Sequence, residues 1–240
     1  MADYRSVNEE RLLETVRRLE QRIAVIFPDS GLRQVALELV EVARTGKETA
    51  KLIGQPYYAV RGLIALILVS LFGLITLEIF VVDKIGQVGS VAEFIQVLEP
   101  TLGAIFFLAA IVAFLLSLET RWKRKRALES IHELRAMAHV VDMHQLTKDP
   151  TDEHLGESRI GDDARPLTPD ELVRYLDFCS EMLSLISKVA VLYVQRFPDD
   201  VAVNAVDEVE SLTTGLSRKI WQKIMIVRAE RPTSAREFVA

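Results

Sequence analysis

A stripe of polar side chains on one predicted helix is the first place in the chain where residue types and spacing favour chemistry. The stripe consists of His132, Arg135, His139 and Asp142. Intervals of three, four and three residues place these side chains along one face of a helix. His139 and Asp142 stand one turn apart, close enough to share an ion, and His144 follows. The spacing predicts a site for a divalent metal such as zinc at His139, Asp142 and His144.

The same stripe also has a purely structural interpretation. His132 lies two turns from His139, about 10 Å along a helix, and is therefore too far away to bind the same ion. His132 and Arg135 are instead candidates for contact with a partner or ligand. The alternative is that these polar groups hydrogen-bond each other, a neighbouring helical hairpin or a second copy of the chain. No HExxH or CxxC motif accompanies the stripe, so the metal hypothesis depends on the spacing alone.

Two further polar clusters are candidates for partner or ligand binding. Lys148 and Asp149 stand where the predicted helix ends, and a lysine there also satisfies the last helical carbonyl groups. The second cluster consists of Arg218, Lys219, Trp221 and Lys223. Cations beside an aromatic ring suit an anionic lipid headgroup or a phosphate, although Trp221 could equally pack at the edge of a bundle.

Composition excludes several classes of protein. Half of the 240 residues are hydrophobic and 26% are charged, so disorder is excluded and the two kinds of residue must be segregated along the chain. A net charge of -5 gives no basis for nucleic-acid binding. The single cysteine, Cys179, excludes an intrachain disulfide. No catalytic motif is present, so we do not expect an enzyme; metal-dependent activity at the His/Asp site is the alternative.

Two apolar runs predict transmembrane helices. Residues 62–82 contain one ionisable group, Glu78, and residues 100–118 contain none, and each run is long enough to cross about 30 Å of hydrocarbon. Five Lys or Arg residues lie within 121–126, whereas 83–99 contains one. Because positive charge stays on the inner side, both termini should face the cytoplasm from the inner or plasma membrane. Tyr57, Tyr58 and Trp122 should lie at the inner interface.

Polar residues within the spans are candidates for lining a pore. A lone intramembrane carboxylate is a functional hypothesis by default, because a lipid-facing charge is unfavourable. In a symmetric oligomer Glu78 would form a ring that attracts cations. The candidates are Glu78, Thr76, Ser70, Thr101 and Ser117.

The rest of the chain has the apolar periodicity of amphipathic helices. Ser6 and Glu9 fit a capping box for the first helix, and Thr168-Pro169-Asp170-Glu171 fits one for a later helix. Phe-Pro-Asp occurs at residues 27–29 and again at 197–199. This repeat predicts two helical hairpins of one plan, or only a convenient corner in which Phe fills the core, Pro ends a helix and Asp caps the next.

The predicted fold is an all-α membrane protein, with a two-span transmembrane hairpin and a cytoplasmic helical bundle formed by the N- and C-terminal parts. The predicted divisions are 1–56, an N-terminal cytoplasmic hairpin; 57–120, the transmembrane hairpin; 121–147, a basic helix continuing the second span; 148–168, a polar loop; and 169–240, a C-terminal cytoplasmic hairpin.

Two functions are compatible with these features. The first is an oligomeric inner-membrane ion channel or pore-forming protein, with the bundle as assembly and gating domain. The second is a membrane-anchored scaffold or sensor whose bundle binds a cytoplasmic protein partner. Both imply contact with membrane lipids. Small residues within the spans also favour a homo-oligomer, because they permit close helix contacts.

Overall fold

The computed structural model describes residues 6–85, 91–146 and 167–229, and within these ranges every regular element is an α-helix. The helices in chain order are α1 (Glu9–Ile26), α2 (Gly31–Gly54), α3 (Tyr58–Ile85), α4 (Val91–Leu146), α5 (Pro169–Arg196) and α6 (Asp200–Ala229). The prediction of an all-α protein is confirmed.

The chain divides into two compact units. The first, here called the bundle, combines the described residues up to Gly54 with those from Arg126 onwards. The second, here called the apolar unit, contains the described residues of Gln55–Lys125. Helix α4 contributes its first part to the apolar unit and its last part to the bundle.

Helix α5 lies at the centre of the bundle and packs against α1, α2 and α6. Its two adjacent apolar stripes are both buried, because an α-helix that is apolar over so wide a face needs neighbours on several sides. Tyr175 and Tyr193 are among the largest fully buried side chains of this core. The α4 residues Ile131, Leu134 and Ala138 are buried in the same core.

Local capping explains where the bundle helices begin. Thr168 and Glu171 form the predicted capping box, since each side chain bonds the other's backbone N–H group, at 3.3 Å and 2.9 Å. The expectation for α1 is corrected. Its N-cap is Asn8, whose side-chain oxygen accepts the Arg11 N–H at 3.0 Å. An Asn at this position satisfies a free helical N–H group directly, and so it replaces Ser6 as the cap.

The two Phe-Pro-Asp corners differ in detail. Phe27 is buried and packs edge-on against Tyr175 and Phe178, whereas Phe197 is only half-buried. Asp199 caps α6 by accepting the Ala202 N–H, whereas at α2 the hydroxyl of Ser30, one residue beyond the motif, accepts the Arg33 N–H at 3.3 Å. The repeated Phe-Pro-Asp sequence therefore forms two similar corners between helices, but the residue that caps the following helix differs.

Close packing joins three helices around Tyr193. Its hydroxyl hydrogen-bonds Ser130 of α4, and burial of the ring raises the pKa of Tyr193. Gly46 of α2 faces the same hydroxyl, and a Cβ atom on Gly46 would lie 2.8 Å from the Tyr193 oxygen. The absence of a side chain at position 46 is what allows α2 to approach this closely.

The apolar unit exposes its hydrophobic side chains. Two helices are long and apolar enough to cross a membrane: the most apolar windows, within Gly31–Leu77 and Leu98–Leu146, have mean hydropathies of 2.4 and 2.5, and neither window is buried. Phe72 and Phe106 are 70% and 72% exposed. The two predicted apolar helices are thereby confirmed by length and composition.

One carboxylate ties α3 to α4 within the apolar unit. Glu119 of α4 accepts the Tyr57 N–H at 3.3 Å and pairs with Lys123 at 2.8 Å. It supplies an acceptor just before the first turn of α3, where N–H groups have no helical partner. Trp122 packs edge-on against the Tyr57 ring, with centroids 6.1 Å apart.

Substitution of Gly46 tests the packing around Tyr193. Gly46→Val should lower the free energy of unfolding by about 1–3 kcal/mol, because the added side chain overpacks this position. Gly215→Val is the matched control, since an added Cβ at Gly215 meets nothing within 4 Å, and the expected change is below about 0.5 kcal/mol. Urea unfolding of the full-length protein, followed by far-ultraviolet circular dichroism, measures both. Equal changes in the two variants would contradict this packing.

Candidate functional site

The polar stripe on α4 is partly engaged in holding the bundle together. His132, Arg135 and His139 are exposed on α4. The Arg135 guanidinium pairs with Glu208 of α6 at 2.8 Å. Arg135 therefore links two helices, as the structural interpretation of the stripe expects, while His132 and His139 face outward.

The predicted metal ligands have separate neighbours. Asp142 accepts a hydrogen bond from the Gln145 amide on the same helix. The His144 ring lies over Gly31, where an added Cβ would be 2.6 Å from its Cε1 atom. Within 6–85, 91–146 and 167–229, no group of three or more His, Cys, Asp or Glu side chains is placed to hold a metal ion. A metal site at His139 and Asp142 stays a prediction that needs ligands from elsewhere.

The C-terminal partner candidates divide into a structural residue and exposed ones. Lys223 donates to the Gln145 carbonyl at 3.1 Å, close to the end of α4, where a cation suits the unsatisfied carbonyl groups. Arg218, Lys219 and Trp221 are exposed on α6. Lys148 and Asp149 lie outside the described residues.

The hydroxyl groups proposed to line a pore bond to their own helices where the structure gives a contact. Thr76 donates to the carbonyl oxygens of Phe72 and Gly73, and Ser117 donates to that of Phe114. A hydroxyl group satisfied in this way is compatible with an apolar surrounding. Ser70 is exposed and Thr101 half-buried. Glu78 belongs to α3, but its side chain lies outside the described part of the chain.

A groove with a volume of about 1070 Å³ lies on the surface of the bundle. It runs along α5 between α1 and α6. From Asp170 to Ser184 it follows α5 for about 21 Å, or four helical turns. Its charged residues are Arg22, Arg174, Arg228, Asp170, Asp177 and Glu181.

The groove combines balanced charge with an exposed aromatic ring. Ile220 and Ile224 of α6 also border it, but their side chains are almost fully buried in the core. Trp221 stands beside them with 55% of its surface exposed. An exposed indole next to paired charges is a typical anchor for a protein partner, because Trp and Arg carry much of the binding energy at interfaces.

A network at the α1 side keeps the groove wall in place. Arg22 donates two hydrogen bonds to the Glu181 carboxylate, at 2.7 Å and 3.1 Å. The Arg22 guanidinium also lies 5.1 Å from the centre of the Phe178 ring. A bidentate pair that also stacks on an aromatic ring has a defined geometry, so this wall is preorganised.

Among the predicted partner residues that the structure describes, Trp221 alone lines this groove. The groove residues of α5 were not predicted, but the sequence contains a signal for them. This signal is a third stripe on α5, formed at intervals of three and four residues by Arg174, Asp177, Glu181 and Ser184. The two apolar stripes of α5 predicted a core helix. The polar stripe, on the remaining face of α5, marks the face that the bundle leaves open.

Cys179 lies on the buried side of α5, away from the groove. It is fully buried in the core, and burial raises the pKa of its thiol far above the ordinary range. A buried neutral thiol is a poor nucleophile and a poor metal ligand.

Comparison with protein-family models, with curated proteins and with solved structures finds no match to this chain.

Thiol labelling tests the burial of Cys179. In the folded protein at pH 8 a water-soluble maleimide should label Cys179 at least about 100-fold more slowly than after denaturation, because the thiol is inaccessible and its raised pKa keeps it protonated. The control is Cys179→Ala combined with Ser184→Cys, which places a thiol at an exposed position of α5 and should react at once. Rapid labelling of native Cys179 would contradict the core assignment.

Proposed function

We propose that this protein is a membrane-anchored scaffold or sensor whose helical bundle binds a cytoplasmic protein through the groove on α5. The apolar helices serve as the anchor and the bundle as the recognition domain. The observation that carries the proposal is the groove itself, with the exposed Trp221 ring and the hydrogen-bonded Arg22–Glu181 pair among its lining residues.

The partner we propose is an amphipathic helix of about four turns. A helix of this length matches the 21 Å that the groove follows along α5. Its apolar stripe would cover the exposed ring of Trp221, as in helix-in-groove recognition. Three cationic and three anionic side chains in the lining favour a partner with both charge signs on its flanks.

The anchor function follows from surface chemistry. A surface as apolar as that of α3 and of α4 before Lys125 is unfavourable in water and suits hydrocarbon. The distribution of Lys and Arg supports an orientation in which both termini face the cytoplasm.

Site-specific photo-crosslinking tests the groove. A photoreactive amino acid at Ser184, which lines the groove, should capture one protein of defined mass in cells. The same group at Gln34, exposed on α2, is the control and should not capture it. With the captured protein purified, Trp221→Ala should raise the Kd at least about tenfold, since interface Trp residues are common hot spots. Unchanged affinity in Trp221→Ala would contradict binding in this groove.

An oligomeric channel is the second candidate function. Added Cβ atoms at Gly62, Gly73 and Gly103 meet nothing within 4 Å, so these positions leave room for a helix of a second copy. In such an assembly Glu78 would be the candidate cation-attracting group.

The subunit number tests the channel. A closed ring around a shared axis requires about four or more two-span copies, which mass determination of the full-length protein in lipid nanodiscs would detect. Glu78→Gln should then reduce cation flux into vesicles without changing the subunit number, because the charge is lost while the side-chain size is kept. A monomer or dimer would contradict the channel and leave the scaffold proposal intact.

A further inference from the structure

A second cavity lies beside the groove, has a volume of about 530 Å³ and is here called the side cavity. Residues of α1 and α5 line it, and Glu181 and Ser184 of α5 line both the groove and the side cavity. Lys188, one helical turn beyond Ser184, also lines the side cavity. The open face of α5 therefore continues for about 6 Å past Ser184, the last groove residue of this helix.

The surface of the side cavity is mostly apolar, whereas the surface of the groove is more polar than apolar. Val7 is half-buried and contributes to the lining. Leu12 and Leu185 also border the side cavity, although their side chains are almost fully buried in the core. An apolar surface with a few polar groups around it is typical of a binding site. The side cavity is therefore suited to an apolar side chain of a partner.

Two exposed cations from different helices line the side cavity. Arg11 belongs to α1 and Lys188 to α5, and neither forms an ion pair within the residues that the structure describes. Because both line one cavity, their charges act on the same bound group. A carboxylate has the complementary charge for this place.

The carboxylates near these cations are paired with other side chains. Glu181, which lines the side cavity, accepts two hydrogen bonds from Arg22. Glu14, one helical turn from Arg11, pairs with Arg18. The side cavity therefore carries an excess of positive charge beside its apolar surface.

Ser184 and Lys188 are arranged to donate hydrogen bonds to an external anion. The Lys188 ammonium donates to the Ser184 hydroxyl oxygen at 2.6 Å and to the Ser184 carbonyl oxygen at 3.2 Å. In this arrangement the hydroxyl hydrogen of Ser184 is left for another acceptor, and no described residue accepts it. The third ammonium hydrogen of Lys188 is likewise left to donate. The two oxygens of one carboxylate can accept both.

We infer that the side cavity binds an acidic residue of the same partner helix, together with the apolar side chain beside it. Ser184, Lys188 and Arg11 bind the carboxylate, and the apolar surface around Val7 covers the neighbouring side chain. The partner helix then extends about one turn beyond Ser184. This inference rests on the proposed function, because it assigns one end of the same partner to a place on the same face of α5.

Charge reversal in the side cavity tests the inference, with the partner that the photoreactive group at Ser184 captures, after its purification. Arg11→Glu combined with Lys188→Glu should raise the Kd at least about tenfold, because the partner's carboxylate then meets two like charges. Arg11→Gln combined with Lys188→Gln removes the cations without adding repulsion and should raise the Kd at least about threefold. An unchanged Kd in either variant would overturn the inference.

Matched variants separate the side cavity from general charge. Arg17→Glu combined with Lys219→Glu makes the same change in charge at exposed positions that line neither the groove nor the side cavity. The Kd should then change less than about threefold, because salt screens distant surface charges. Arg11→Lys combined with Lys188→Arg keeps both charges and should retain most of the affinity. An equal loss of affinity in the Arg17 and Lys219 control would overturn the inference.

Reversal of the partner's own charge identifies its acidic residue. A photoreactive amino acid at Thr15, which is exposed and lines the side cavity, should crosslink to the partner, and peptide mass spectrometry locates the attachment. Changing the nearest Asp or Glu of the partner to Lys should restore the Kd of the Arg11→Glu and Lys188→Glu variant to within about threefold of the parent value. No restoration, or a crosslink to a second copy of this chain instead, would overturn the inference.

Failure of this inference is distinct from failure of the proposed function. A raised Kd in Trp221→Ala together with an unchanged Kd in the side-cavity variants would overturn the inference and leave the groove proposal intact. Capture of no partner at Ser184 or Thr15, or an unchanged Kd in Trp221→Ala, would contradict the groove proposal and this inference with it.

Discussion

The bundle depends on the enclosure of α5. This helix carries two adjacent apolar stripes and therefore cannot be stable with only one neighbour. Its burial requires α1, α2 and α6 around it, together with the last part of α4, and so it brings the N- and C-terminal parts of the chain into one unit. The close approach of Gly46 to Tyr193 and the insertion of Phe27 against Tyr175 are consequences of this enclosure.

The open face of α5 follows from the same arrangement. The helices around α5 bury its apolar stripes and leave the polar stripe from Arg174 to Ser184 between α1 and α6. The groove therefore lies over the one polar face of an otherwise apolar helix. Its walls are formed by α1 and α6, which the core requires as neighbours of α5. Arg22 from α1 and Trp221 from α6 reach the site only because their helices pack on either side of α5.

In the apolar unit the large hydrophobic side chains are exposed, whereas in the bundle most of them are buried. Those of the apolar unit face outward, and the contacts of Glu119 lie where the apolar runs end. Glu119 has two roles: its carboxylate accepts a backbone N–H at the start of α3 and is also the counter-charge of Lys123.

The sequence by itself determined the helical class, the two long apolar helices and the Thr168 capping box, because hydrophobic periodicity, run length and caps are local properties. It also gave Trp221 as a candidate for partner or ligand binding, but not the groove beside which this residue lies. Only the tertiary structure decided that Arg135 pairs with Glu208, that Lys223 reaches the end of α4, and that Arg22 forms a wall beside Glu181. These contacts join residues 73, 78 and 159 positions apart, and helical periodicity gives the face of each residue but not which other helix it meets.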